Sequence, residues 1–505
     1  MRHRILLVAG LLYLCAANII WISIDTRPPF WDMAGHANSA LTVARDFQVN
    51  GISALRTLPK DSGSYPPLHD AVAALFYGVL GPNVDAAQLA NLPAIIILGL
   101  ATFGIARSVM EPGAAVLAAL LANFFPYMLW ISREILIEYW LTAIVAVAIW
   151  ALIKTREFSD PKWSLVFGAV CGLGMLTKWT FVIFVGLPAL WYARKNWANA
   201  FKAAGVAAVL AAYWYVPQFE TMSKFWHQVA NAGKTEGDPG ALSIQGWLFY
   251  IRALEGSVLF FPLFVAFLAG LATMVQTWQQ RSAKWMPVVL CLLGTWLGLM
   301  FVPNKDPRYA IPIISVIAVI AAVAFEKRKA AQVALGVFLL FQHALVSFGI
   351  PQLPERVVLA KGPGGPVPYD WNLYTQSYLG LWGHPRAEDW KIERAIETIS
   401  ADRARPIKVA MIPDLPRFDR DAFRFYINLG QHPIVIERIY DTDEKAIPEN
   451  DYIVMSIGKQ ENIASYAPHG GEINAYILAH PELFQMVDTF ALPNGETIRI
   501  YKCVR

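Results

Sequence analysis

The sequence predicts a polytopic α-helical membrane protein, with about 11 transmembrane helices and a C-terminal α/β domain on the extracytoplasmic side. Three observations predict it. The 505 residues are 56% hydrophobic and only 16% charged, with a mean hydropathy of +0.40; a soluble chain of this size needs far more charge on its surface. The apolar residues gather into runs of about 15–23, the length that crosses a bilayer as a helix. From Trp390 onward the composition changes to that of a soluble domain, with short strand-like and helix-like segments in turn. The expected organisation is a membrane domain over 1–350, a Pro/Gly-rich connector over 351–389 containing "KGPGGPVP", and an outer domain over 390–505.

The expected spans are 5–24, 87–106, 113–131, 139–153, 165–177, 179–193, 203–216, 258–277, 286–302, 309–325 and 331–350. The first run is too long for a cleavable signal peptide and no small-residue cleavage site follows it. Alternate connections are basic: Arg2 and Arg4; Arg107; Lys154, Arg156 and Lys162; Arg194, Lys195 and Lys202; Arg281 and Lys284; Lys327, Arg328 and Lys329. The positive-inside rule makes that side cytoplasmic. The N-terminus is then inside and, after an odd number of spans, the tail is outside. The run 165–193 is about 29 residues, or ~43 Å as one helix, yet Lys162 and Arg194 flank it on the same side. A tight hairpin with Lys178 at its outer turn resolves this.

The outer connections differ in kind from the inner ones. Asp32, Asp61, Tyr65, Arg133, Glu134, Glu138, Lys178, Lys305, Asp306 and Arg308 all map to the outer face, whereas the inner loops are short and merely basic. An alternating-access transporter places polar groups near the midplane, often in two related halves; the chain has no internal repeat and almost no charge in mid-span. The pattern therefore favours an enzyme at the outer membrane–water boundary. In the tail, 407–413, 433–439, 452–458 and 497–504 read as strands and 421–430 and 471–484 as helices. No glycine-rich nucleotide-binding pattern occurs there, and a packing or lid role is favoured. The four cysteines suggest neither a disulfide framework nor a metal cluster. A net charge of +4 does not point to nucleic acid, and none is expected as a partner.

Five segments in order, "PPFWDMAGHANSAL", "GSYPPLHDAVAALFYGVLG", "ISREILIEYWLT", "GAVCGLGMLTKWTFV" and "NKDPRYAIPII", resemble the GT-C glycosyltransferases. More narrowly, they are similar to the bacterial branch near protein O-mannosyltransferases and lipid A aminoarabinose transferases (glycosyltransferase family 39). The resemblance covers about residues 1–350. It implies a sugar donor carried on a polyprenyl phosphate, transfer on the extracytoplasmic side of the plasma (inner) membrane, and an essential aspartate in the first outer loop, here Asp32. Two departures stand out. Many members have Asp-Glu where this chain has Asp32-Met33, and many have Lys before the Pro-Pro pair where this chain has Ser64-Tyr65.

The chemistry of such a transfer can be matched to residues independently. A departing polyprenyl phosphate needs cations near its oxygens, and Lys178, Arg308, Lys305 and Arg133 are the available ones. The attacking hydroxyl needs a base, for which Asp32 is the best placed; capping the helix that follows is its duller role. Tyr65, His36, Glu138 and Tyr309 are the expected substrate contacts, set against an interfacial belt tyrosine and a purely structural histidine. Glu134 and Glu138, spaced i,i+4, would repel on one helix face, which suggests a nearby cation, either Lys178 or a metal. No cofactor is required by the pattern; a divalent cation is compatible with it. The acceptor is a lipid, glycan or protein hydroxyl. A transporter or flippase of a lipid-linked sugar is the alternative function, and a non-catalytic assembly subunit a third.

Overall fold

A computed structural model describes residues 2–235, 237–361, 370–378, 380–400, 406–438, 447–458 and 470–504. Most of "KGPGGPVP" and the strand end at Ile439 lie outside the described residues.

Two structural parts are seen: a bundle of apolar helices and, in the tail, a five-stranded sheet with helices. Among the described residues six helices are long and apolar enough to cross a membrane, Arg2–Ile24, Val84–Val109, Ile137–Lys154, Ile244–Gln276, Trp278–Met300 and Lys329–Phe348. A seventh span results if Trp197–Tyr215 and Phe219–Val229, bent by 83°, are taken together. The other segments expected to cross are shorter helices: Pro112–Phe124, Phe181–Ala193 and Pro307–Val323, and Pro161–Met175. The molecule is a multi-pass membrane protein. The expected hairpin at 165–193 is indeed broken, into Pro161–Met175 and Phe181–Ala193, and Lys178 lies in the break.

Burial sorts the helices. Every residue of Ile314–Val323 is buried, as is nearly all of Pro112–Phe124; helices apolar on all sides belong at the centre of a bundle. Arg2–Ile24 instead exposes Ile5, Leu6, Val8, Leu12 and Ile20, an apolar face suited to lipid. Close contact is made through small residues: a Cβ on Gly270 would lie 1.9 Å from the Ile320 carbonyl oxygen. Only glycine allows backbones this near, the usual device where lipid gives no hydrophobic drive.

The tail sheet has the order β4-β3-β5-β7-β6. Strands β3 (Ile407–Met411), β4 (Ile434–Arg438) and β5 (Tyr452–Ile457) pair in parallel. Antiparallel to them run β7 (Thr497–Cys503) against β5, and β6 (Phe484–Ala491) against β7. Apolar clusters cover both faces of this sheet. The helix read over 471–484 is corrected to Gly470–Ala479. It stops before Pro481, since a residue preceding proline is pushed out of the helical region, and Phe484 opens β6 instead. A further hairpin, β1 (Arg356–Ala360) with β2 (Trp371–Thr375), occupies the connector.

Helix Trp31–Asn50, which carries Asp32, joins the two parts. Its Ala34 belongs to the tail's apolar cluster, while Met33, Ala37 and Leu41 belong to that of the bundle.

Candidate active site at one end of the bundle

Asp32 sits in the first turn of helix Trp31–Asn50, where the N-cap position is held by Phe30 and no side chain caps the helix. Capping is therefore not its role. Its side chain is 52% exposed, and Oδ2 lies 3.3 Å from Nη1 of Arg308. A carboxylate in a first helical turn is favoured by the helix dipole and stays open to an incoming group. Arg308 is aimed by its neighbour: Nε donates to Asp306 Oδ2 at 2.8 Å, and Asp306 Oδ1 accepts the Arg308 backbone N–H at 2.8 Å. Asp306 thereby caps the turn that Pro307 begins. Asp306 thus offsets part of the Arg308 charge while leaving its Nη1 directed at Asp32.

Below this lies a buried ion pair. Lys178 Nζ donates to Glu138 Oε1 at 2.6 Å, both side chains being less than a tenth exposed. The break between two short helices places Lys178, and the first turn of Ile137–Lys154 places Glu138. The ammonium also rests over the Tyr309 ring, 4.9 Å from its centre, and the Tyr309 hydroxyl donates to Asn304 Oδ1 at 3.0 Å. Arg308 interacts electrostatically with both Glu138 and Asp32, so the two pairs form one charged cluster. Glu134 is in the turn before the helix and does not share a helical face with Glu138. The cation expected beside Glu138 is Lys178.

His36, one turn beyond Asp32, is buried and faces a second helix, Leu68–Leu80. Its Nδ1 lies 3.3 Å from Asp70 Oδ1, and the Nδ1 of His69 lies 3.1 Å from the same oxygen. The Tyr65 ring is 5.1 Å from that of His36 and stacks on Trp179 at 5.5 Å, with Phe225 edge-on at 5.2 Å. Burial, reinforced by nearby Asp32, raises the Tyr65 phenol well above its ordinary pKa. It is a hydrogen-bond donor, not a base.

Asp32, His36, Tyr65, Glu138, Lys178, Arg308 and Tyr309 are thus brought together, with His69, Asp70, Trp179 and Asp306 added. His69 and Asp70, within "GSYPPLHDAVAALFYGVLG", are not among the residues expected at the site; a His-Asp pair opening an otherwise apolar helix is the signal that marks them. Two expected phosphate ligands are occupied otherwise. Lys305 Nζ donates to the carbonyls of Leu299 and Met300 at 2.7 and 2.9 Å, closing the C-terminal end of helix Trp278–Met300. Arg133 is 1% exposed and donates to Asn18 Oδ1 at 2.9 Å and Ser347 Oγ at 2.6 Å. Its guanidinium lies over Trp21, so it ties the first and last membrane helices together. The sequence could not separate structural from free cations, because the partners are carbonyls and distant polar side chains.

The tail docks directly beside Asp32. Trp31 has φ 46°, a left-handed conformation costly for a bulky residue. Its backbone N–H donates to Asp419 Oδ2 at 3.3 Å and its indole Nε1 to Asp414 Oδ1 at 3.2 Å. Arg417 Nη1 donates to the Pro28 carbonyl at 3.0 Å, and Arg45 Nη2 to that of Asn428 at 2.8 Å. Burial raises the Asp419 carboxyl to about 7, Asp421 and Asp414 adding to it and backbone N–H bonds opposing it. A carboxyl with a raised folded-state pKa stabilises fully below its unfolded value, 3.8, and that contribution is lost as pH rises through about 7. The thermal stability of the tail should accordingly fall from pH 4 to 7, and Asp419→Asn should flatten the profile. A wild-type profile that strengthens over this range contradicts the assignment.

Fold and cluster together define a class: a multi-pass membrane protein with a polar, charged cluster at one end of its helical bundle. Residues 64–218 match the family model described as dolichyl-phosphate-mannose-protein mannosyltransferase. Among solved structures the chain is similar to ArnT from Cupriavidus metallidurans in the apo state, with TM-score 0.58, 13% identity, and 98% of this chain and 97% of that one covered. ArnT bound to undecaprenyl phosphate gives 0.55 and 14% over the same shares. The oligosaccharyltransferase of Archaeoglobus fulgidus, in complex with Zn and sulfate, gives 0.58 and 13%, covering 97% of this chain and 72% of that one. At these identities the likeness is one of fold. No curated protein matches the sequence.

Proposed function

We propose that the chain is an integral-membrane glycosyltransferase that moves a sugar from a polyprenyl-phosphate donor to an acceptor hydroxyl at the extracytoplasmic face, with inversion. One observation carries the reading: a half-exposed carboxylate, Asp32, stands 3.3 Å from Arg308 and beside the Lys178–Glu138 pair. A base and two cations are thus gathered at one end of the bundle. The family match over 64–218 and the ArnT structure bound to undecaprenyl phosphate support a lipid-phosphate donor. The basic inner loops support an N-terminus in the cytoplasm and an outer tail.

In this mechanism the donor's lipid lies in the outer leaflet and its phosphate meets Arg308, whose second partner Asp306 keeps it aimed. Lys178 adds charge from below. Asp32 takes the acceptor's proton as the new carbon–oxygen bond forms, while the phosphate leaves from the opposite face. Fixed cations at the departing oxygens act strongly because the surroundings are partly desolvated. Tyr65, held protonated, donates to the sugar or the phosphate.

Membranes containing the protein, given labelled polyprenyl-phosphate sugars, should release free polyprenyl phosphate in step with sugar transfer. Protease added from the outside should cut the tail. Movement of intact lipid-linked sugar across the bilayer without such release supports the flippase alternative and overturns the transferase; a tail cut only from the cytoplasmic side overturns the orientation.

A further inference from the structure

We propose that His36, His69 and Asp70 form a binding site for one divalent transition-metal ion of the zinc type, in the inner wall of the cluster that holds Asp32. One ligand atom from each of the three lies within 4.8 Å of the others, and all three residues are buried. The two histidine Nδ1 atoms are 3.3 and 3.1 Å from Asp70 Oδ1. Two ligands on a tetrahedral ion with metal–ligand bonds of ~2.0–2.1 Å stand about 3.3 Å apart, the spacing that each histidine already has to Asp70.

Two further features need a cation here. Asp70 Oδ2 is buried without a partner, and a carboxylate 1% exposed is costly to leave half satisfied. The electrostatic neighbourhood is also negative: Asp70, Asp32 and Glu138 all act on His36. Across the cluster the carboxylates Asp32, Asp70, Glu138 and Asp306 face the cations Lys178 and Arg308. A site with more acids than bases repels a phosphate ester, and one divalent ion at the His-His-Asp group removes the excess. Two imidazoles and one carboxylate select zinc, cobalt or similar ions over magnesium and calcium. Three protein ligands leave a position for water or an anionic oxygen, next to Tyr65, whose ring is 5.1 Å from His36. The link to donor phosphate rests on the transferase reading; the metal site does not.

The probe is Co2+ alone, titrated into purified, chelator-treated full-length protein in detergent. The wild type should bind one equivalent, with the visible absorption of four-coordinate cobalt carrying imidazole ligands, and Zn2+ should displace it. His36→Gln, His69→Gln and Asp70→Asn should each weaken binding by more than about 100-fold, beyond the 10–100-fold effect of outer-shell changes. Asp32→Asn should keep full cobalt binding, because Asp32 lies outside the ligand set. Absence of stoichiometric binding to the wild type, which needs no variant to fold, overturns the proposal and leaves a hydrogen-bonded His-Asp-His group. Undiminished binding in all three ligand variants overturns it equally. Because the titration contains no donor, failure of glycosyl transfer with cobalt bound would overturn the transferase reading and not the metal site.

Discussion

Asp32→Asn should lower turnover by about 10²–10⁴-fold, the range for loss of a general base, while donor affinity changes little. The amide keeps the size of the side chain and its place in the first turn, and it can still accept from Arg308, 3.3 Å away in the native protein. What it loses is proton affinity. The test separates this role from a structural one. If Asp32 mattered only as the counter-ion of Arg308, the variant would disturb donor binding first, raising KM with kcat nearly intact. Steady-state kinetics with a saturating lipid-linked donor distinguish the two, and near-normal kcat in Asp32→Asn would remove the base from the mechanism.

The second large effect is expected at Lys178. Its ammonium and the Glu138 carboxylate are 2.6 Å apart and almost wholly buried. Removing one member strands the other, at a cost of about 3–5 kcal/mol. Lys178→Ala should therefore reduce thermal stability strongly and weaken donor binding as well. The double variant Lys178→Met with Glu138→Gln removes both charges and should regain most of the stability. It should not regain donor binding, because the cation is still missing. Recovery of normal donor affinity in the double variant would show that Lys178 serves packing alone.

The membrane helices were legible because hydropathy and loop charge each have one physical cause, the cost of burying polar groups in lipid and the orientation set by basic loops. The split at Lys178 was readable for the same reason, since a 29-residue run flanked by basic residues on one side cannot cross once. The number of crossings is less legible: Pro112–Phe124 and Phe181–Ala193 are short helices, the first followed at once by a second apolar helix, Pro126–Ile131, and the second closed off by Arg194 and Lys195. Asp32, Lys178 and Arg308 could be singled out as charges beside spans. Whether such a charge is free depends on partners distant in sequence. Lys305 spends its donors on two carbonyls and Arg133 on Asn18 and Ser347, contacts that no local pattern announces. Missing β6 had a simpler cause. Helical spacing was extended through His480-Pro481, where the chain has to leave the helix. The docking of Asp414 and Asp419 on Trp31 joins residues more than 380 positions apart, beyond the reach of any window along the chain.

The configuration of the transferred sugar is the most direct measurement of the central claim. A donor of known anomeric configuration, consumed in a single round by membranes containing the wild-type chain, yields a product whose anomeric coupling can be read by NMR. A base on the face opposite the leaving phosphate predicts complete inversion, with Asp32→Asn forming the same inverted product more slowly. A product that retains the donor's configuration would contradict the account, because it requires a covalent or front-face intermediate in which Asp32 is not simply a base.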